Sequence, residues 1–179
     1  MFDLDDFITA CTASCHEPEP RAAIREVLAR AVADPGLATG ALAPTRAEIV
    51  RLHGSDELTI LKVVWAPGMR IGPHDHRTWA AIGVYTGGED NAFFRRDHMT
   101  LAGSGGRSLR PGDVCLLGDD VIHAVTNPTG ELAAALHVYG GDFLALPRSE
   151  WRGPPYTEHP YDSARTTALF EAANNAGPR

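Results

Sequence analysis

The sequence predicts a mainly β protein, a barrel or sandwich of short strands with helices at both ends, and three observations carry that prediction. Between Leu58 and Tyr139, short apolar and β-branched runs alternate with turns rich in Gly, Pro and Asp. Before that region, apolar residues recur at helical spacing, and no segment repeats at a solenoid period. The length, 179 residues, suits one domain with a sizeable core.

Residues 1–39 read as helical. Phe2, Leu4, Phe7 and Ile8 can line one face of a short helix. Pro18 and Pro20 interrupt it, and Glu17 and Glu19 lie near the start of the next helix, where the dipole favours acids. Ile24, Val27, Leu28 and Ala31 follow the i, i+3, i+4, i+7 rule, so this helix packs along one stripe. Asp34-Pro35-Gly36 reads as its stop. Residues 43–53 read as a connector with a helical turn over 46–50. Strands are expected over 58–65, 78–85, 92–96, 114–117, 121–125 and 132–139. Turns are expected at Gly87-Gly88-Glu89-Asp90-Asn91, at Gly103-Ser104-Gly105-Gly106 and at Gly118-Asp119-Asp120. After Phe143 the chain reads as irregular, with Pro147, Pro154, Pro155 and Pro160, and with Trp151 and Tyr156 laid over the barrel surface. Residues 162–174 read as a last helix capped by Asp162 or Ser163, and the end from Asn174 to Arg179 as frayed.

A net charge of −7 argues against nucleic acid and anionic membrane as partners. Three cysteines give no even disulfide framework. Cys11 and Cys15 read as small residues on a helix, and Cys115 as a buried strand residue. No secretory apolar segment and no apolar run near twenty residues occurs, so a cytoplasmic protein is expected.

The chemistry centres on Gly68-Met69-Arg70-Ile71-Gly72-Pro73-His74-Asp75-His76. Strand side chains alternate faces, so His74 and His76 point the same way, one pleat apart. Two imidazoles held like that are half of a first-row metal site. A second element, from Gly112 to Asn127, reads strand, tight turn, strand, and places His123 to supply a third imidazole. His16, His53, His98 and His159 read as surface or structural. His137 and Tyr139 share a strand face with Ala133 and Ala135, a small-residue face suited to the wall of a polar pocket.

These two elements resemble the two motifs of the cupin superfamily. Gly68, His74, His76 and Gly87 match the first motif, with Ala80 and Ala81 where its glutamate stands; Gly112, His123 and Asn127 match the second. The resemblance implies a double-stranded β-helix barrel with N-terminal helices and a short C-terminal helix. It implies a single domain over 1–179, with a helical region over 1–43, the barrel core over 57–143 and a C-terminal wrap over 144–179. The metal set is then His74, His76 and His123 without a carboxylate. A three-histidine set is similar to that of the thiol dioxygenases, of which cysteine dioxygenase is the best known. Trp65, and Leu136-His137-Val138-Tyr139 as a late strand, extend that likeness.

The resemblance implies an Fe(II)-dependent dioxygenase that converts a small thiol and O2 to a sulfinate. Three histidines also suit zinc, nickel, copper or manganese. Tyr139 would bond substrate or oxygen, and His137 would orient Tyr139. The family's relay serine is replaced by Ala135, which leaves one His137 nitrogen needing water or another partner. The family's occasional cysteine crosslink falls at Ala81, so none is expected. A carboxylated thiol needs a cation, and Arg46 and Arg77 are the candidates, ahead of Arg51 and Arg70. Trp65 and Trp79 could narrow the pocket or fill the core. Other readings stay open: a cupin oxygenase acting on a non-thiol acid, an isomerase or lyase using the metal as a Lewis acid, and a non-catalytic binding module. A monomer or a homodimer is expected.

Overall fold

A computed structural model describes residues 2–176. Three helices come first: α1 (Leu4–Ser14), α2 (Pro20–Val32) and α3 (Pro35–Ala41). Nine strands follow: β1 (Glu48–Gly54), β2 (Leu58–Trp65), β3 (Arg70–Asp75), β4 (Ala80–Thr86), β5 (Glu89–Asp97), β6 (Thr100–Leu109), β7 (Val114–Leu117), β8 (Ile122–Thr126) and β9 (Ala133–Gly140). A short 3-10 turn (Phe143–Ala145), β10 (Ser149–Arg152), β11 (Thr157–Pro160) and α4 (Ser163–Asn175) complete the order.

The strands form two antiparallel sheets, ordered β1-β2-β9-β4-β7 and β11-β10-β3-β8-β5-β6. From β2 onward the chain crosses repeatedly from one sheet to the other, with β5 and β6 kept together as a hairpin. That strand order is a double-stranded β-helix, the cupin barrel. It leaves two apolar layers because strand side chains alternate. Leu61, Val63, Trp65, Ala80, Ile82, Ala135 and Tyr139 belong to the layer between the sheets. Ile60, Val64, Ala81, Tyr85, Leu136 and Val138 belong to the layer under the N-terminal helices.

The helices are set by their caps and stripes. The Asp3 carboxylate accepts from the Asp5 and Asp6 amides at 2.9 and 3.0 Å, which starts α1. Ile24, Val27 and Leu28 of α2 are buried as the spacing predicted. Close approach of α2 to β4 depends on Gly83, where a Cβ would lie 2.8 Å from Leu28 Cγ and 3.1 Å from Val32 Cγ1. Gly83→Ala is therefore expected to lower stability by about 1–3 kcal/mol through overpacking, read as a reduced midpoint in urea. Gly87 has φ +67°, and a Cβ there would lie 2.6 Å from Ala133 Cα, so this turn accepts only glycine without rearrangement.

Several local expectations are corrected. Asp34-Pro35-Gly36 does more than stop α2: Asp34 caps α3, accepting from the Gly36 amide at 3.1 Å. Residues 48–54 form an edge strand rather than a helical turn, because β2 offers an antiparallel partner from Val64 to Thr59, with one bulge between Arg51 and His53. Glu89-Asp90-Asn91 is strand, not turn; β6 pairs with all three residues, and β8 with Asp90 and Asn91. The glycine run from Gly103 to Gly106 lies inside β6, and the hairpin instead turns at His98 and Met99, where His98 has φ +53°. The segment after Phe143 contains the β10–β11 hairpin, which adds to the second sheet through Glu150 opposite His74. Trp151 is buried there, not laid on the surface. The last helix starts as expected, with Asp162 accepting from the Arg165 amide at 3.0 Å. Asn174 and Asn175 are helical, Ala176 caps the helix with its N–H bonded to the Ala172 carbonyl, and residues 177–179 lie outside the described residues.

Candidate metal centre and its cavity

The barrel register brings the three histidines together. His74 in β3 stands directly opposite His123 in β8, and His76 follows β3 immediately. All three are buried, and one nitrogen from each lies within 4.8 Å of the others. The cluster could hold a metal ion.

The surrounding hydrogen bonds test that fit. His123 Nδ1 lies 2.7 Å from Asn91 Oδ1, and Asn91 Nδ2 donates to Glu89 Oε1 at 3.0 Å. Glu89 accepts only, so the asparagine oxygen must face His123, and His123 Nδ1 carries the proton. His74 Nδ1 donates to the Gly72 carbonyl at 3.1 Å. Both rings therefore turn an unprotonated Nε2 to the centre, where the Nε2 atoms of His123 and His76 lie 3.1 Å apart. Two basic nitrogens converging in a buried pocket suit a soft or borderline divalent cation.

Burial holds the three rings neutral, which is the ligating form. It lowers the His74 pKa from 6.5 to about 4. Burial and the neighbouring histidines take His76 and His123 well below their ordinary value. Unfolded imidazoles bind protons below about 6.5, and the buried ones do not until far lower pH. Metal-free protein should lose stability as pH falls from 6.5 towards 4, seen as a lower urea midpoint at pH 5 than at pH 7.

The centre opens into a cavity of about 270 Å³ between the sheets. Its walls are aliphatic, from Ile49, Leu61, Val63, Ile71, Val125 and Leu144, with Ser163, Thr166 and Thr167 of α4 at the rim. Packing of Phe170 on Trp65, with ring centroids 5.5 Å apart, seats α4 there. Asn174 fastens the helix by two hydrogen bonds to the Ala47 backbone, at 2.8 and 2.9 Å.

Tyr139 and His137 line this cavity. The Tyr139 ring meets His76 edge-on at 5.1 Å, and its hydroxyl lies 3.0 Å from His137 Nδ1. Burial raises the Tyr139 pKa, so the phenol stays protonated. The other His137 nitrogen faces Glu89 Oε2 at 3.5 Å, too long for a good hydrogen bond but with no closer polar partner among the described residues. Glu89 also accepts from Trp65 Nε1 at 3.1 Å. Burial alone would raise the Glu89 pKa, but the His137, Asn91 and Trp65 donors outweigh it and hold this buried carboxyl below its ordinary value. Where Ala135 supplies no partner to His137, the nearest polar group is this carboxylate from another strand, 3.5 Å away.

Trp65 lies at the cavity wall, while Trp79 packs in the layer under the helices, away from the cavity. Arg46 is placed elsewhere. It sits at the entry to the edge strand β1, largely exposed and 3.5 Å from Glu48, in a separate hollow beside α4. Arg77 is also outside the cavity. It binds Asp75 at 2.7 Å and lines hollows beyond β3, because it follows His76 on the outward side of the chain. Arg51 and Arg70 do not line the cavity either. Of the two alanines in the glutamate's place, Ala80 faces inward opposite Tyr139, and Ala81 faces the helices.

The charged side chain that does line the cavity is Arg148. It sits between the rings of Phe143 and Tyr161, with Cζ 4.1 and 4.0 Å from their centroids. Phe143 in turn stacks on Tyr139 at 3.8 Å with the planes 4° apart. Rings on both faces hold the guanidinium by cation–π contact and leave its in-plane donors uncovered. Its Nε is buried without a hydrogen-bond partner. Sequence reasoning missed Arg148, Glu89 and Asn91. The inward alternation of Glu89, Asn91 and Phe93 was a usable signal; nothing in Pro147-Arg148-Ser149 distinguished the arginine.

No family model matches the chain. Among solved structures, it is similar to an RmlC-like cupin family protein with a double-stranded β-helix fold from Methanocaldococcus jannaschii, at TM-score 0.48 and 11% identity, covering 57% of this chain and 87% of that one. It is similar to a conserved protein with a double-stranded β-helix domain from Klebsiella pneumoniae, at TM-score 0.47 and 15% identity, covering 61% and 84%. It is also similar to Peruvianin-I, a cysteine peptidase from Thevetia peruviana latex, at TM-score 0.41 and 20% identity, covering 48% of this chain and only about half, 52%, of that one. Strand order, rather than these likenesses, defines the fold.

Proposed function

We propose that this protein is an Fe(II)-dependent thiol dioxygenase acting on a small thiol that carries a carboxylate, such as a 3-mercapto acid. The observation that supports it most is the donor set: three neutral imidazoles, no carboxylate, and an arginine across the cavity. Neutral ligands leave the charge of a dication uncompensated, which favours a thiolate and lowers the thiol pKa. When bound at His74, His76 and His123, iron supplies the redox chemistry by which both atoms of O2 add to sulfur, RSH + O2 → RSO2H.

The chain's own residues then bind and orient. Arg148 pairs with the substrate carboxylate through its in-plane N–H groups. The aliphatic walls exclude water and bury the carbon chain. Among the described residues no acidic side chain lines the cavity to receive an ammonium group, which favours a mercapto acid over cysteine. Tyr139 offers its hydroxyl oxygen beside His76, and His137 fixes the direction of that hydroxyl. Turnover of 3-mercaptopropionate under 18O2 tests the reading. It predicts a sulfinate with both oxygens labelled. A single labelled oxygen, or a disulfide as the sole product, would contradict it.

A further inference from the structure

We propose that Glu89 is a positioning residue whose acceptor-only carboxylate sets the hydrogen-bond polarity of two arms, one ending at the metal-facing nitrogen of His123 and the other at the hydroxyl of Tyr139. This deepens the reading above, since it takes His123 as a metal ligand and Tyr139 as the phenol beside the substrate.

Two donors bond Glu89, Trp65 Nε1 at 3.1 Å and Asn91 Nδ2 at 3.0 Å, and His137 Nε2 faces it at 3.5 Å with no closer polar partner among the described residues. A carboxylate accepts on both oxygens and donates on neither. In the first arm, Asn91 must give Glu89 its amide N–H, so its oxygen turns to His123. His123 then keeps its proton on Nδ1 and presents a bare Nε2. In the second arm, the acceptor-only carboxylate that faces His137 Nε2 at 3.5 Å favours the proton on that nitrogen, which leaves Nδ1 to accept from Tyr139. The Tyr139 proton is thereby committed, and its oxygen faces the cavity as an acceptor. The group that meets Tyr139 is consequently a donor, such as a thiol or other X–H. Burial of Glu89, Asn91, His123 and His137 excludes the water that could otherwise reverse either arm.

An amide at this position cannot serve both arms. In Glu89→Gln one oxygen becomes an NH2 group. Turned towards Asn91, it forces that amide over and presents N–H to His123. Turned towards Trp65 and His137, it opposes two donors and drives His137 to the Nδ1–H form, which reverses the Tyr139 hydroxyl.

Nitrogen-15 spectra of histidine-labelled, Zn(II)-loaded protein test this without any turnover. In the wild-type protein we expect His137 protonated on Nε2 and His123 on Nδ1. Glu89→Gln should reverse one of the two, and where His123 is the one reversed it should also weaken Co(II) binding, measured by absorption titration, by about 10–100-fold. A wild-type His137 with its proton on Nδ1 would overturn the proposal, even if the variant failed to fold. A folded Glu89→Gln protein with both protonation patterns and its Co(II) affinity unchanged would overturn it too. None of these readouts involves thiol oxidation, so failure here is distinct from failure of the dioxygenase reading.

Discussion

Replacing His123 with alanine should abolish stoichiometric Fe(II) binding and thiol-dependent O2 uptake while leaving the fold intact. His123 provides one of the three buried nitrogens of the cluster. Two imidazoles alone are half of such a site, and among the described residues no other His, Cys, Asp or Glu joins the group. The substitution also removes the group that Asn91 orients, so adding imidazole to the buffer should restore little. Iron content after gel filtration and the O2 electrode check the two halves separately. A His123→Ala protein that retains one iron per chain and full turnover would remove the metal centre from the account.

The second large effect is expected at Arg148. Arg148→Met keeps a long apolar stem between Phe143 and Tyr161 and removes the charge. A charge-assisted hydrogen bond contributes about 1.5–3 kcal/mol, so kcat/KM for a mercapto acid should fall by about 10–100-fold. Most of the loss should appear in KM, because a remote carboxylate is bound alike before and during the reaction. Cysteamine, which has no carboxylate, should be little affected. An equal fall with both thiols would mean that Arg148 supports the cavity rather than reads the carboxylate. The same substitution at Arg46 or Arg77 should leave kcat/KM within a small factor of wild type, since neither lines the cavity.

Much of this was legible in the residues, and the exceptions have physical causes. Short apolar, β-branched runs bounded by Gly, Pro and Asp turns located most of the barrel strands, and the His74-x-His76 pair together with His123 pointed to one cluster, because strand register carries inward-facing residues to the same wall. Glu89 and Asn91 were hidden by composition. Gly87-Gly88-Glu89-Asp90-Asn91 has the residues of a turn, and the two glycines do turn, yet pairing from Glu89 onward with β6 and β8 makes the rest strand and draws the two polar side chains inside. The glycine run of β6 misled in the same way: an edge strand paired on one side tolerates glycines that local propensity places in a loop. Arg148 depends on the chain folding back after Phe143 as the β10–β11 hairpin, a tertiary event with no local pattern. Conversely, the gap left by Ala135 was visible in the sequence, and only the fold could place a carboxylate from β5 facing it at 3.5 Å.

The most direct measurement is O2 consumption by Fe(II)-loaded protein against 3-mercaptopropionate, mercaptosuccinate, cysteine and cysteamine. Uptake is expected with at least one carboxylated thiol, with one sulfinate formed per O2 consumed and weaker turnover of cysteamine. No uptake with any of the four, on protein shown to hold iron at the three histidines, would contradict the dioxygenase reading.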